Sequence, residues 1–286
     1  MKKTKQTGKF CFLTMILLFS MRITVYGSGA AAPNAGGNTE LVIFAASSMT
    51  ETLEQIADLY KKTAPDVKLT FNFDSSGTLK TQIEEGAECD IFISAGQIQM
   101  DQLDITVGPQ VNTKRLDAVL QGTRTNLLEN EVTLCLPENN PAGIRSFADL
   151  AKKIVNENIL LAMGNSDVPV GQYTQKILTF YKLDEQALAR NGKISYGTNV
   201  KEVTTQIKEA SVSCGVVYQT DAYSAGLDIV DYATTDMCGQ ISYPAAVLKA
   251  SRNPGAAKAF MDYLKSSGAM AVFEKAGFTA ARGQKQ

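Results

Sequence analysis

The chain has 286 residues, of which 44% are hydrophobic and 20% are charged, which is enough apolar material for one large core or two moderate lobes. It contains no histidine, and this excludes Ser-His-Asp and Cys-His nucleophilic sites. The formal net charge is −1. No cluster of Lys and Arg with interleaved aromatic residues occurs, so nucleic acid is not an expected partner.

Residues 1–27 are predicted to form a secretory signal peptide, because four lysines precede the apolar stretch 10–21 and small residues follow near Gly27. The stretch is shorter than the ~20 residues of a membrane span, which favours cleavage over an uncleaved anchor. Cys11 lies inside the stretch rather than after it, which argues against lipid attachment there. We therefore expect export to the periplasm or the extracytoplasmic face of the membrane. Residues 28–39 have the composition of a flexible linker.

Cleavage would leave an acidic protein. The segment removes five basic residues and no acid, so 23 basic residues would face 29 acidic ones and the net charge would be −6. An acidic protein gains nothing from its overall field when it binds an anion. Any anion site must therefore rely on local, oriented donors.

From residue 40 onward, short apolar runs alternate with helix-period patterns. The first set predicts strands at 41–44, 68–73 and 90–94, with helices that carry Met49, Leu53, Ile56 and Tyr60 and then Leu79 and Ile83. The second set predicts strands at 132–136, 159–163, 193–195 and 215–218, with helices at 169–181 and 200–210. A further run at 241–248 precedes a helix opened by Asn253 and Pro254.

This order predicts an α/β fold of two lobes, with parallel strands and helices on both faces of each sheet. We expect lobe 1 to comprise residues 40–130 and 245–286, and lobe 2 to comprise residues 131–244. Ligands of such sheets bind outside the carboxyl ends of the strands. The turns that follow the strands are therefore the places to look for a site.

Two serine-bearing turns each lie between a strand and a helix: the first serine turn, residues 44–50, and the second serine turn, residues 73–79. A helix start offers N–H groups without intrahelical partners and the positive end of the helix dipole, so a serine there adds a hydroxyl to a potential oxyanion site. The alternative is simple helix capping, since Ser48 and Glu51 have capping-box spacing.

Three further donor-bearing positions follow. In residues 165–173, Pro169 fits the first turn of a helix, and the N–H groups of Val170 and Gly171 could point at an oxygen. In residues 198–202, Asn199 has capping-box spacing and Val200 offers an N–H. Tyr218 ends its strand with a phenolic donor.

Four cysteines would remain after cleavage. Cys89 and Cys135 lie in or beside apolar runs and are predicted to be buried free thiols. Cys214 and Cys238 flank one strand-and-loop unit and could form a disulfide in an oxidising compartment, although sequence cannot fix the pairing.

Over residues 41–279 the chain resembles the periplasmic molybdate-binding proteins of ABC uptake systems. The segments that carry the resemblance are FAASSMT at 44–50, SSGTL at 75–79, GAECDIFISA at 86–95, VPVG at 168–171, GVVYQTDA at 215–222, YP at 243–244 and AGFT at 276–279. The resemblance implies the two-lobe periplasmic-binding-protein fold, with a mixed, mainly parallel sheet in each lobe and the ligand in the cleft between them. It also implies lobe closure with hinges near Val132 and Ile241.

The family holds a bare tetrahedral oxyanion with serine hydroxyls, backbone amides and one tyrosine hydroxyl. The matching positions are Ser48, Ser76, Val170, Val200 and Tyr218, and less firmly Ser47, Ser75 and Gly171. Molybdenum would enter only as the oxyanion, with no protein atom bonded to the metal and no cofactor. The implied ligands are molybdate and tungstate, and the implied partner of an expected monomer is a membrane permease.

Two residues depart from the family pattern. Val170 stands where alanine is usual, which keeps the amide but adds bulk. Asp74 precedes the second serine turn, and we expect its carboxylate to point away from a bound dianion.

Other functions fit the sequence less well. A serine hydrolase is disfavoured, since no Ser-x-x-Lys or G-x-S-x-G motif accompanies the missing histidine. A carboxylate ligand would usually need an arginine, and none lies in the five donor-bearing segments. Another tetrahedral oxyanion, such as sulfate or phosphate, remains the main alternative ligand, and a structural or adhesive exported protein is a further one.

Overall fold

The computed structural model describes residues 39–281 and divides their strands between two mixed β-sheets flanked by helices. The predicted signal peptide and linker residues 28–38 lie outside the described residues. Thr39, counted with the linker in the sequence, is the first residue of strand β1. The predicted two-sheet α/β fold is confirmed.

The six-stranded sheet, with the helices packed on it, is called lobe 1 below. Its strand order is β11-β4-β10-β3-β1-β2. The strands are β1 (Thr39–Ala46), β2 (Val67–Asp74), β3 (Ile91–Ile93), β4 (Thr125–Asn130), β10 (Ile241–Val247) and β11 (Thr279–Ala280). Strands β1, β2 and β3 run parallel, whereas β10, β4 and β11 pair antiparallel. Parallel pairing is thus confined to the part built from the first β-α-β-α-β unit.

The five-stranded sheet, with its helices, is called lobe 2. Its order is β7-β6-β8-β5-β9. The strands are β5 (Val132–Leu136), β6 (Leu161–Gly164), β7 (Ile194–Gly197), β8 (Cys214–Tyr218) and β9 (Asp228–Tyr232). Strand β6 is parallel to both of its neighbours, whereas β5 pairs antiparallel with β8 and β9.

The helices bury their apolar stripes against the sheets. In the first helix, the predicted positions Leu53, Ile56 and Tyr60 are all buried. The helices are α1 (Thr50–Thr63), α2 (Ser76–Glu84), α3 (Gln97–Asp101), α4 (Phe147–Asn156), α5 (Pro169–Phe180), α6 (Glu185–Arg190), α7 (Val200–Lys208), α8 (Gln219–Ala225), α9 (Thr235–Cys238), α10 (Pro254–Leu264) and α11 (Ser267–Lys275). None of the helices in the described part of the chain is long and apolar enough to cross a membrane.

The chain passes from lobe 1 to lobe 2 at Glu131, between β4 and β5, and returns between α9 and β10. Strand β10 pairs with β4 from Ile241 onward. Residues 241–244, placed in lobe 2 from the sequence, therefore belong to the sheet of lobe 1. Sequence alternation could not show this, because the pairing partner is more than a hundred residues away.

All four cysteines of the described region are buried free thiols. This confirms the expectation for Cys89 and Cys135. The possible bridge between Cys214 and Cys238 is not formed: Cys214 lies inside strand β8, and Cys238 ends helix α9 with its thiol directed at the Thr234 and Gly239 carbonyls.

Candidate functional site

The predicted donor positions all follow strands at the carboxyl ends. The first serine turn follows β1, the second follows β2, and the segment with Val170 follows β6. Val200 begins the helix after β7, and Tyr218 is the last residue of β8. These are the positions where ligands of α/β sheets are bound.

Ser47 and Ser48 lie in a 3₁₀ turn, Ser47–Met49, between β1 and α1, and both are buried. Met49, not Ser48, is the N-cap of α1, and no side chain caps this helix. The capping-box alternative is therefore wrong for Ser48. Its hydroxyl instead lies 2.9 Å from the hydroxyl of Tyr243 on β10.

In the second serine turn the two serines have different roles. Ser75 is the N-cap of α2, and its hydroxyl accepts a hydrogen bond from the Thr78 N–H at 3.1 Å. Ser76 is fully buried, and its Oγ accepts from the Ala95 N–H at 2.9 Å. Because that amide can only donate, the proton of the Ser76 hydroxyl is left for another acceptor. The Asp74 carboxylate accepts from the Ser75 N–H at 2.7 Å.

Helix α5 begins at Pro169, and Val170 and Gly171 are buried in its first turn. Their N–H groups have no intrahelical partner, as at any helix start. Gly171 also has a packing role: a Cβ there would lie 2.3 Å from the carbonyl oxygens of Gly164 and Asn165. Backbone contact with β6 and its loop is thus sufficient to require glycine at this position.

Helix α7 begins at Val200 with the predicted cap. The Asn199 side chain accepts from the Glu202 N–H at 3.1 Å, and the Glu202 carboxylate accepts from the Thr198 N–H at 2.6 Å. The Asn199 cap is confirmed, whereas the Glu202 carboxylate reaches Thr198 rather than the N–H of the cap, so the reciprocal half of the capping box is not formed. The cap leaves the N–H of Val200 outside the intrahelical ladder. Helix α7 packs across the cleft against the Ser47–Met49 turn.

Tyr218 joins the lobes. Its side chain is buried, and its hydroxyl donates to the Ala95 carbonyl of lobe 1 at 3.3 Å. Burial, and next the neighbouring phenol of Tyr243, raise the pKa of Tyr218 well above its ordinary value, so the phenol keeps its proton. Ser76 and Tyr218 thus approach the same residue, Ala95, from different lobes.

The lobes also touch beside these groups. The position of a Cβ on Gly77 lies 2.2 Å from the Asp167 carbonyl oxygen, and that of a Cβ on Gly96 lies 3.2 Å from the Pro169 side chain. The second serine turn is therefore in backbone contact with the loop that precedes α5. Together with the contact of α7 with the first serine turn, this brings all five predicted segments to one cleft, which is closed in this structure.

Sequence reasoning missed a layer of polar residues behind the serines. Tyr243 contacts Ser48, and Asn130 contacts Tyr243. In the sequence, the pair YP at 243–244 contributes only to the family resemblance and gives no sign that Tyr243 contacts Ser48. No local pattern marks Asn130, because the residues that it contacts are distant in the chain.

Charged groups at the cleft are paired across it. The Lys201 ammonium on α7 lies 2.8 Å from the Glu51 carboxylate of lobe 1 and 3.5 Å from the carboxylate of Asp221. Asp221 is buried, and within residues 39–281 its carboxylate has no close hydrogen-bond partner besides this long contact with Lys201. Burial raises the pKa of Asp221 to about 6, although Lys201 acts in the opposite direction. Among the described residues, no cluster of His, Cys, Asp and Glu could hold a metal ion.

Known proteins of similar sequence and fold include solute-binding proteins. The family model for bacterial extracellular solute-binding proteins matches residues 41–279. A Bacillus subtilis protein, YvgL, named as a proposed ABC transporter substrate-binding lipoprotein, is 33% identical over 95% of this chain and 98% of its own length. The Escherichia coli molybdate-binding protein ModA is 32% identical over 88% of this chain and 94% of its own. The structure of a periplasmic molybdate-binding protein from Azotobacter vinelandii superposes with a TM-score of 0.70 at 22% identity, covering 85% of this chain and all of that one.

Proposed function

Since the chain belongs to the family of bacterial extracellular solute-binding proteins, we propose that it captures molybdate, and tungstate with it, for uptake by an ABC transporter. As a solute-binding protein it is not an enzyme. Two relatives support the finer assignment. The name of the Bacillus subtilis protein includes an ABC transporter, and the Escherichia coli protein is named for molybdate.

The observation that carries the proposal is the meeting of Ser76 and Tyr218 at Ala95. The two hydroxyls come from opposite lobes, and no acceptor for the Ser76 proton is found in the described part of the chain. We propose that these hydroxyls, Ser48 and the N–H groups of Val170 and Val200 surround the ion, with Ser47, Ser75 and Gly171 in the adjoining turns. Each charge-assisted hydrogen bond contributes about 1.5–3 kcal/mol, so five of them could give micromolar or tighter binding.

Donors without acceptors favour an anion that carries no proton. Molybdate, tungstate and sulfate have the same charge and shape, so the size of the closed cleft must separate them. Sulfate or phosphate is the alternative ligand if the bulk of Val170 has changed that size. The charges of Lys201, Glu51 and Asp221 are paired, which leaves selectivity to the hydrogen-bond donors.

The test is calorimetric titration of the protein from Ser28 onward with molybdate, tungstate, sulfate and phosphate. Tight one-to-one binding of molybdate and tungstate, with sulfate at least a hundredfold weaker, is the expected result. Ser48→Ala and Tyr218→Phe should each weaken molybdate binding by about tenfold or more, which is the cost of one such hydrogen bond. Tyr60→Phe removes a hydroxyl from a buried aromatic cluster with Phe260 and Tyr263 and serves as the control. Preference for sulfate or phosphate would contradict the proposal.

We further propose that the protein is exported and acts as a monomer in the periplasm or on the extracytoplasmic side of the membrane. The Bacillus subtilis relative is named a lipoprotein. In this chain the only cysteine before Cys89 is Cys11, inside the apolar stretch. Release without a lipid anchor is therefore the expected outcome, and fractionation of cells that express the full chain would test it.

A further inference from the structure

We propose that Tyr243 and Asn130 fix the direction of the Ser48 hydroxyl, so that its proton points into the cleft and the site disfavours oxyanions that carry a proton of their own. This inference rests on the proposed function and names two residues that determine the specificity of that site.

The Asn130 amide is oriented by its neighbour. The Glu131 N–H donates to Asn130 Oδ1 at 2.8 Å, so this atom is the acceptor and Nδ2 is on the other side. Nδ2 then donates to the Tyr243 hydroxyl at 3.1 Å and to the Thr220 hydroxyl at 2.9 Å. Both protons of Nδ2 are used in these two bonds.

Asn130 in turn orients the hydroxyl group of Tyr243. Its hydroxyl oxygen accepts from Asn130, so its single proton is available for Ser48 Oγ at 2.9 Å. The side chain is fully buried, and burial, followed by the nearby Asp221 carboxylate, raises the pKa of Tyr243 well above its ordinary value. The phenol therefore stays protonated and acts as a donor to Ser48.

Ser48 then has one acceptor site filled and its own proton unassigned. Within residues 39–281, the hydroxyl of Tyr243 is the only recorded hydrogen-bond partner of Ser48 Oγ. Ser76 is in the same situation, since it accepts from an amide that cannot reverse. Ser48 and Ser76 are thus directed as donors, whereas the Ser75 hydroxyl accepts from the Thr78 N–H and also lies 2.9 Å from the Thr78 hydroxyl, which offers an acceptor for its proton.

This direction matters because molybdate and hydrogenphosphate both carry two negative charges but only hydrogenphosphate carries a proton. A proton on the ligand needs an acceptor, and an unpaired buried polar hydrogen is costly. Ser48 and Ser76 each keep one lone pair, but with the other lone pair filled by the protein and the proton directed at the ligand, each hydroxyl presents hydrogen rather than oxygen to hydrogenphosphate. Removing the donor behind Ser48 should free its hydroxyl to rotate and turn a lone pair towards the proton of the ligand.

The experiment compares molybdate with phosphate at mildly alkaline pH, where phosphate is mainly the hydrogenphosphate dianion. Tyr243→Phe keeps the ring and removes the donor to Ser48. Asn130→Asp replaces the donating Nδ2 by an acceptor, which should turn the Tyr243 proton away from Ser48. Tyr60→Phe is the matched control, and thermal denaturation of each protein checks folding.

We expect both site variants to lower the ratio of molybdate to phosphate affinity by about tenfold or more, the scale of one hydrogen bond to a charged group. Because the two ligands have equal charge, repulsion by the new carboxylate of Asn130→Asp largely cancels in the ratio. An unchanged ratio, or an equal loss for both ions, would overturn the inference and leave Tyr243 a packing role. Failure of the unaltered protein to bind molybdate would instead refute the proposed function, and the two failures are therefore distinguishable.

Discussion

A methyl group added at Gly77 should hold the lobes apart. Gly77 is the second residue of α2 in lobe 1, and it faces the backbone of Asp167 in lobe 2. A Cβ on Gly77 would lie 2.2 Å from the Asp167 carbonyl oxygen and 2.9 Å from its carbonyl carbon. Both distances are below any real contact of a Cβ atom, and the opposing atoms belong to backbone that cannot rotate away.

The size of the effect follows from these distances. Restoring an ordinary contact near 3.4 Å requires the lobes to separate by about 1 Å. The bond from Tyr218 to the Ala95 carbonyl is already 3.3 Å long, and such a shift would break it. A bound ion would likewise lose one or two of its donors from lobe 2. At about 1.5–3 kcal/mol each, this predicts a loss of at least tenfold in affinity, and of over a hundredfold if two donors are lost.

Gly77→Ala should raise the free energy of unfolding of the ligand-free protein while it lowers the affinity for the ion. Alanine is favoured over glycine inside a helix by about 0.5–1 kcal/mol, so Gly77→Ala should stabilise the ligand-free protein if its lobes can open. Gly255→Ala is the matched control, because Gly255 is also the second residue of a helix, α10, and nothing lies within 4 Å of a Cβ there. It should give the same gain in stability with unchanged affinity. Calorimetric titration and thermal denaturation measure the two quantities.

Two results would refute this reasoning. Wild-type affinity in Gly77→Ala would mean that the contact of Gly77 with Asp167 is absent when the ion is bound. A loss of stability in the ligand-free variant, without a matching loss in Gly255→Ala, would mean that the lobes are held closed even without a ligand.

Three further predictions concern charge and thiols. Lys201→Gln removes the ion pair with Glu51 across the cleft and should weaken ligand binding two- to fivefold, about 0.4–1 kcal/mol for a partly exposed pair, with a smaller effect at high salt in titrations. Because burial raises the pKa of Asp221 from 3.8 to about 6, the native state binds this proton more tightly than the unfolded state, so its contribution to stability falls as pH rises between these values. Thermal denaturation of Asp221→Asn across this range should show a smaller decline than the unaltered protein, and an identical decline would contradict the assignment. Thiol titration of the protein from Ser28 onward should find no reactive group in the native state and all four thiols after denaturation, and a reductant should leave the melting temperature unchanged; the thiols are Cys89, Cys135, Cys214 and Cys238.

The sequence predicted the elements whose signals are local. Helix α1 buries the positions that the three- and four-residue spacing marked, and Asn199 caps α7 by accepting from the Glu202 N–H. The same spacing at Ser48 and Glu51 gave the wrong interpretation, because Ser48 bonds to Tyr243, 195 residues later in the chain. The capping-box spacing is the same in the two segments. The distant strand β10, which carries Tyr243, draws the Ser48 hydroxyl away from the helix start.

The second serine turn shows the same limit at the scale of one residue. Local pattern placed a serine donor there, and only the family resemblance ranked Ser76 above Ser75, without a physical reason for their different roles. The division depends on Ala95, whose N–H reaches Ser76 only because β3 lies beside β1 in the sheet. Local pattern also could not predict the place of β10 in the sheet, because β10 pairs with β4 and β3, which are distant in the chain.

The contact between Tyr218 and Ala95 also bears on how the cleft exchanges its ligand. A closed cleft without an ion would leave buried donors unpaired, and each would cost about 1–3 kcal/mol. Tyr218 avoids this cost by donating to the Ala95 carbonyl. An ion bound as proposed would exchange one acceptor for another at Tyr218, whereas the protons of Ser48 and Ser76 would gain a partner only from the ion. Such an ion would favour closure mainly through the two serines of lobe 1 and the helix starts of lobe 2, and Tyr218 would reduce the penalty of closing before the ion arrives.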